Sequence, residues 1–262
     1  MQKSRQQNPV IEFENLTLGY ERHPAVHHLS GHIHQGDLLA VVGPNGGGKS
    51  TLLKGLMGEL RPLGGRFIWP TGRQQMAYLP QRARLDLDFP LRVADFVSLG
   101  HWPRQGAFAA ISGANRRAVH DALHQVGMDG FEQRSLDSLS GGQLQRVLFA
   151  RLLLEDAGLI LLDEPFAAVD ESTTQDLLAL VHQWQQQGRT VIAVLHDLNQ
   201  VREHFPLCLL LARDVLGFGP TAEVLVPQNL ERARRMQAPF DPLAPVCDLD
   251  VESAMPEAHR HD

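Results

Sequence analysis

Cysteine is nearly missing. Only Cys208 and Cys247 occur in 262 residues, far apart and in no metal-like spacing. That excludes a disulfide framework and fits a reducing cytoplasm. A basic excess is missing too: 24 Lys and Arg stand against 30 Asp and Glu, a formal net charge of −6. General nucleic-acid binders are usually basic, so no nucleic-acid partner is expected. Apolar runs are short, as in Leu207 to Ala212, well under the roughly 20 residues that a helix needs to span a bilayer. A membrane role would therefore need spanning helices from another chain. The N-terminal residues are polar with no apolar stretch behind them, so no secretory signal is expected. The chain has no internal repeat.

What is present begins with a sizeable interior, since 43% of residues are apolar. The length exceeds one average domain without demanding two cores. The stretch that organises the rest is Gly43-Pro44-Asn45-Gly46-Gly47-Gly48-Lys49-Ser50-Thr51, which fits G-x-x-x-x-G-K-[ST]. The apolar run Leu38 to Val42 before it reads as a buried strand. Behind it, Leu52, Leu53, Leu56 and Met57 share one helical face. Glycines let a backbone curl so that N–H groups point at phosphate oxygens. The helix N-terminus adds unsatisfied donors and a positive dipole end. Lys49 brings a full charge to the β/γ-phosphates, and the Ser50 hydroxyl can ligate magnesium.

In chain order, residues 1–9 read as a disordered polar tip. Val10 to Leu18 alternates as a half-buried strand, Ile11, Phe13 and Asn15 against Glu12, Glu14 and Leu16. Ala25 to His34 is a second strand, with Gly36-Asp37 a turn after it. Phe67-Ile68 and Met76 to Leu79 are short strands. Residues 82–155 carry no convincing strand. They read as a helical insert, with helices over Arg92 to Leu99, Asn115 to Val126 and Gln143 to Leu154, and a small-residue loop over Trp102 to Gly113. Leu159 to Leu162 reads as a strand buried on both faces. Thr173 to Gln185 is a helix with Ser172 as its candidate N-cap. A strand over Thr190 to Leu195, a helix over Leu198 to His204 and a hairpin of Leu207 to Ala212 with Val215 to Phe218 follow. One helix over Leu230 to Met236 and an extended tail complete the reading.

Two further motifs carry chemistry. Leu159-Ile160-Leu161-Leu162-Asp163-Glu164 puts two carboxylates at a buried strand end. Asp163 can hold magnesium, and Glu164 can polarise an attacking water. Leu139-Ser140-Gly141-Gly142-Gln143 opens a helix, and its N–H groups and hydroxyl make a second anion site. A single nucleotide does not need both phosphate-binding helix ends from one subunit.

The set Gly43–Thr51, Gln81, Leu139–Gln143, Leu159–Glu164, Asp170 and His196 resembles the ATP-binding subunit of an ABC transporter. The resemblance covers roughly residues 10–226. It implies an α/β P-loop NTPase with a RecA-like core, an antiparallel β-subdomain and a helical subdomain over 82–155. Residues 227–262 would be a C-terminal helix and tail. It also implies a head-to-tail homodimer that traps two ATP, each between one phosphate loop and the partner's Leu-Ser-Gly-Gly-Gln. That would explain the two anion sites. By the same resemblance Tyr20 stacks on adenine, and Gln81 reaches magnesium and the attacking water. Ser140 and Gly142 touch the γ-phosphate in trans, with Gly141 and Gln143 beside them. Asp170 lies along the dimer seam, and His196 donates to the γ-phosphate. The implied activity is ATP hydrolysis at the cytoplasmic face of the cell membrane, coupled to a separate permease pair.

The stretches Asp86-Leu87-Asp88-Phe89-Pro90 and Pro165-Phe166-Ala167-Ala168-Val169-Asp170 are similar to those of zinc and manganese importers. Importers of iron chelates usually carry Thr after that proline. An extracytoplasmic metal-binding protein would belong to the same system. Histidines crowd the N-terminal part (His23, His27, His28, His32, His34) and the chain end (His259, His261). No cysteine or close carboxylate set completes a tetrahedral site there, so they read as exposed strand and tail residues.

Overall fold

The computed structural model describes residues 9–21, 23–81, 91–102 and 113–236. The chain starts with β1 (Pro9–Tyr20), β2 (His23–His34) and β3 (Leu38–Val42), followed by α1 (Lys49–Met57), β4 (Gly64–Ile68) and β5 (Met76–Leu79). Helices α2 (Val93–Ser98), α3 (Gly113–Gln125) and α4 (Gly141–Glu155) come next. Then β6 (Leu159–Asp163), α5 (Glu171–Gln186), β7 (Thr190–Val194), α6 (Leu198–His204), β8 (Leu207–Ala212) and β9 (Asp214–Pro220) alternate. Two short helices close the described chain, α7 (Thr221–Val224) and α8 (Pro227–Arg235).

The strands form one sheet in the order β4-β1-β2-β9-β8-β3-β7-β6-β5. From β8 to β5 neighbours run parallel, whereas β4, β1 and β2 pair antiparallel. Burial explains the parallel part. Every residue of β3, β6 and β7 is buried. Alternate residues then feed two separate apolar layers. Leu38, Ala40, Val42, Ile160 and Leu162 face the side of α4 and α5. Leu39, Val41, Leu159 and Leu161 face the side of α1, where Leu52, Leu53 and Leu56 pack with β1 and β2. A strand covered on both faces needs no polar alternation. On the α4 side, the Phe149 and Trp184 rings stack at 5.5 Å and join α4 to α5.

Four local expectations are corrected. The alternation of β1 does not run through Asn15. A register shift lies between Phe13 and Leu16, and Asn15 takes a φ of 46°. The bulge turns Asn15 outward, 2.8 Å from His28 Nδ1, and leaves Leu16 wholly buried. Second, Ser172 is not the cap of α5. Asp170 is, and its carboxylate accepts the Thr173 N–H while the Ser172 hydroxyl donates to it. Aspartate is the better acceptor for orphan N–H groups. Third, the last helix starts at Pro227 rather than Leu230, because proline suits the first helical position. Fourth, Gly113 opens α3, and Pro9 belongs to β1. The loop expected over 102–113 otherwise lies outside the described residues, as do Asp86–Pro90, residues 1–8, the tail beyond 236, Cys247, His259 and His261.

Candidate functional site

The parallel strands β5, β6, β7 and β3 stand side by side, and each leaves its C-terminal end at one edge. Beyond those ends come Gln81, Glu164, His196 and the glycine loop, in that order across the sheet. Ligands of open α/β sheets bind at this edge. A cleft of about 600 Å³ forms there, lined by Asn45, Gly46, Gly47, Gly48, Lys49, Ser50, Thr51, Gln81, Glu164 and His196. Four motifs scattered over about 150 residues of sequence thus line one cleft.

The loop is held by close backbone approach. A Cβ on Gly43 would lie 1.8 Å from the Leu211 carbonyl oxygen, and one on Gly48 would lie 2.2 Å from that of Ala25. Both glycines have positive φ, 145° and 95°. Gly48 is the residue before α1 and offers no side chain to cap its N–H groups. Those orphan donors face the cleft end of the helix. Lys49 is 7% exposed, and its ammonium donates to the carbonyls of Gly43 at 2.9 Å and Pro44 at 3.0 Å. Burial lowers its pKa, opposed by the charges of Glu164 and Asp163. An entering phosphate competes with two weak carbonyl acceptors for that proton donor.

Glu164 is the most constrained residue here. Its φ is 53°, a left-handed conformation costing a non-glycine residue about 1 kcal/mol. Its N–H donates to Val194 O at 3.1 Å. Gln81 Nε2 donates to one carboxylate oxygen at 2.9 Å, and His196 Nε2 lies 2.7 Å from the other. Asp163 is 1% exposed and sits behind it, with the Tyr78 hydroxyl donating to Oδ2 at 3.5 Å. Asp163 does not line the cleft directly.

Besides Asp163, Gly43 and Pro44, three further sequence-named groups lie off the cleft lining. Tyr20 is 44% exposed at the end of β1 and accepts a hydrogen bond from Lys54 Nζ at 3.1 Å. Ser140, Gly141, Gly142 and Gln143 form the start of α4 instead. There Ser140 Oγ accepts the Gln143 N–H at 3.3 Å, and Gln143 Oε1 accepts the Ser140 N–H at 3.0 Å. This capping box leaves the Ser140 hydroxyl proton available to a ligand. Asp170 caps α5 beside that helix end. Hydrogen bonds from Ser172 and then Thr173 hold its carboxyl far below the usual carboxylate range. A Cβ added to Gly142 would meet Thr173 Oγ1 at 3.3 Å and Asp170 Oδ2 at 3.4 Å, so the two motifs lie side by side.

The sequence reading passed over several residues that hold this arrangement. Gln145 Nε2 donates to the Pro165 carbonyl at 2.7 Å. Arg146 donates to Val126 O, to Thr173 Oγ1 and to Asp176. Arg151 donates to Tyr78 O at 2.8 Å and pairs with Glu155. The only signal in sequence is a polar residue at a core-facing helix position. Among the histidines, the His32 and His34 rings meet edge-on at 4.7 Å. Among the described residues no group of three or more His, Cys, Asp or Glu side chains is arranged to hold a metal ion.

A lysine-bearing glycine loop at a helix N-terminus, across a cleft from Glu164 with Asp163 buried behind it, defines a P-loop nucleotide-binding protein. The chain belongs to the ABC transporter family, whose profile matches residues 26–167. It is 36% identical over 229 residues to the manganese transport system ATP-binding protein MntB of Halalkalibacterium halodurans, covering 86% of this chain and 92% of that one. It is 37% identical to the zinc transport system ATP-binding protein TroB of Treponema pallidum, covering 86% of each. Among solved structures, a metal-chelate type ABC transporter in an inward-facing conformation superposes with a TM-score of 0.78 at 33% identity. That match covers 87% of this chain and 90% of the other.

Proposed function

We propose that this chain is the ATP-hydrolysing subunit of a divalent metal-ion importer, with zinc or manganese as the transported ion. The observation that carries the chemistry is the Glu164 carboxylate held between Gln81 and His196, across the cleft from the Lys49 loop. In this reading Gly43–Thr51 cradle the phosphates, and Tyr20 stacks on the adenine. Glu164 orients and deprotonates the attacking water. His196 turns from Glu164 to the γ-phosphate, and Gln81 follows the water.

Magnesium fits the residues present. Ser50, Gln81 and Asp163 offer hydroxyl, amide and carboxylate oxygens, the hard donors that this ion selects while it keeps several waters. When bound, it neutralises charge on the β- and γ-phosphates. Asp163, buried behind the cleft, would reach it through water.

The two anion-binding helix ends support a head-to-tail homodimer. Ser140, Gly141, Gly142 and Gln143 of one copy would close over ATP held by its partner, with Asp170 along the seam. Among the described residues no helix is long and apolar enough to cross a membrane, which fits a pair of separate permease subunits and a peripheral position on the cytoplasmic face. An extracytoplasmic metal-binding protein would deliver the ion. The names of MntB and TroB favour manganese or zinc, while the likeness to a metal-chelate type transporter keeps an iron chelate as the second reading. A soluble ABC ATPase acting on ribosomes or DNA fits the net charge of −6 poorly.

Whole-cell zinc, manganese and iron, read together by elemental mass spectrometry in metal-depleted medium, tests this. Removing the chain should lower one metal, restored by the wild type but not by Glu164→Gln. No change in any metal would remove the importer reading.

A further inference from the structure

We propose that Gln145 is a positioning residue for Glu164, and that it links hydrolysis in one cleft to the helix end that would cover the partner's ATP. The proposal rests on the reading of Glu164 as the group that acts on water.

The left-handed backbone at Glu164 persists only if its surroundings over-determine it. Two restraints are local or belong to the sheet: the Glu164 N–H to Val194 O, and the Ala167 N–H to Glu164 O at 3.2 Å. The third comes from another layer of the fold. Gln145, on α4, donates to the carbonyl of Pro165, the residue after Glu164. Proline has no N–H, so that carbonyl is its one main-chain handle. Gln145 is itself 4% exposed, flanked by the buried Leu144 and Leu148 of its own helix. A glutamine in such a position is costly unless its polar atoms are paired. Leucine would pack there as well, so the side chain's distinctive contribution is this bond.

Its location gives the bond a further consequence. Gln145 follows Gly142 by three residues, one turn along α4. The next residue, Arg146, grips the start of α5 through Thr173 Oγ1 at 3.4 Å and Asp176 Oδ2 at 2.6 Å. Consecutive residues of α4 therefore hold both ends of the segment from Glu164 to Thr173. A γ-phosphate drawn against Ser140 and Gly142 would displace α4 as a rod. Pro165, and with it Glu164, would move in the same step. In a head-to-tail dimer that phosphate belongs to the partner's ATP, so each site would sense the other's occupancy.

The test is steady-state ATPase kinetics on the full chain, in the membrane complex with which it purifies. Gln145→Leu keeps the volume and removes the donor. It should lower kcat about tenfold, the scale expected for a slightly misplaced reacting group, with KM for ATP within about twofold. In a Glu164→Gln background the same change should alter the residual rate by less than about twofold, because two changes acting through one group are not additive. A further tenfold loss there would mean that Gln145 acts on the fold at large, and would overturn the proposal. Gln145→Glu adds a pH readout. Its carboxyl can donate to Pro165 O only when protonated, so its rate relative to wild type should rise as pH falls from 8 to 6. A flat ratio would also overturn the proposal. If Glu164→Gln alone leaves the rate unchanged, the underlying reading of Glu164 fails. If Glu164→Gln is slow and Gln145→Leu is not, the tether alone fails.

Discussion

His196 Nε2 lies 2.7 Å from Glu164 Oε1, and the two residues stand at the ends of adjacent parallel strands. The other Glu164 oxygen accepts from Gln81, beyond the end of the strand on the opposite side. Sheet order thus places a donor on each side of the carboxylate. Two donors fix the orientation of the carboxylate. Each oxygen keeps a lone pair for an attacking water, and in the proposed reading a γ-phosphate would compete with Glu164 for His196.

Glu164→Gln should therefore lower ATP hydrolysis at least tenfold, about 1.4 kcal/mol of barrier, while ATP binding persists. His196→Ala should lower kcat on a similar scale, since in the proposed reading it removes the donor to the γ-phosphate. Turnover and fluorescent-nucleotide binding, measured on the same preparations, check both. Unchanged turnover in Glu164→Gln would remove the base assignment.

Lys49→Ala should instead abolish binding. The ammonium is the one Lys or Arg charge among the described residues that line the cleft, and it also pins the loop through Gly43 and Pro44. Affinity for ATP should fall at least tenfold, about 1.4 kcal/mol. Retained affinity would count against the phosphate-cradle reading.

The glycines of the loop separate two physical causes. Gly43→Ala forces a Cβ to 1.8 Å from Leu211 O, so β8 or the loop must move. Gly46 has a φ of 76° but nothing within 4 Å of an added Cβ. Gly46→Ala should cost only backbone strain, about 1 kcal/mol, and leave a folded chain. Gly43→Ala should lower stability well beyond that and abolish nucleotide binding. Thermal melts of the two variants decide it, and equal losses would refute the steric account.

The legible parts of this molecule were those where one residue type has one use. A glycine loop with a lysine, or two acids at the end of an apolar run, announces itself because the alternatives are few. The strand end that carries Glu164 is legible for that reason, whereas Gln81 and His196, single residues of common types, are marked only by the family resemblance. Gln145 and Arg146 were not legible, because a glutamine or arginine in a helix ordinarily faces water. Only the packing of α4 on the sheet shows that these two do not. Asn15 was misread for a related reason: period-two alternation has no means of announcing a bulge, which depends on a partner strand twelve or more residues away.

Ser172 and Asp170 were confused because either residue type caps a helix. The structure separates them by experiment-sized consequences. Asp170→Ala removes the acceptor of the Thr173 N–H, the Thr173 hydroxyl and the Ser172 hydroxyl together. The melting temperature should fall by a few degrees. Ser172→Ala removes one donor to an exposed carboxylate and should be nearly neutral. A larger loss for Ser172→Ala would restore the capping role to the serine.

Glu155 gives the stability of this chain a pH dependence that a single substitution can remove. Burial pushes its carboxyl up from an ordinary 4.5 to about 7, and the charge of Arg151 only partly opposes this. The folded pKa is raised, so between pH 4.5 and 7 the folded chain holds a proton that the unfolded chain has lost. Stability therefore falls as pH rises through that window, and the loss is complete above about pH 7. Glu155→Gln keeps the shape and cannot ionise. At pH 4 the variant and the wild type should melt together, because the wild-type side chain is then mostly neutral in both the folded and the unfolded chain. At pH 8 the variant should be the more stable, by about 3 kcal/mol if the whole shift is expressed. Urea titrations at the two pH values measure the difference directly. Parallel behaviour at both would mean that Glu155 stays ionised in the fold with Arg151 as a full partner. In that case Glu155→Gln would weaken the grip of Arg151 on Tyr78 rather than relieve a buried charge.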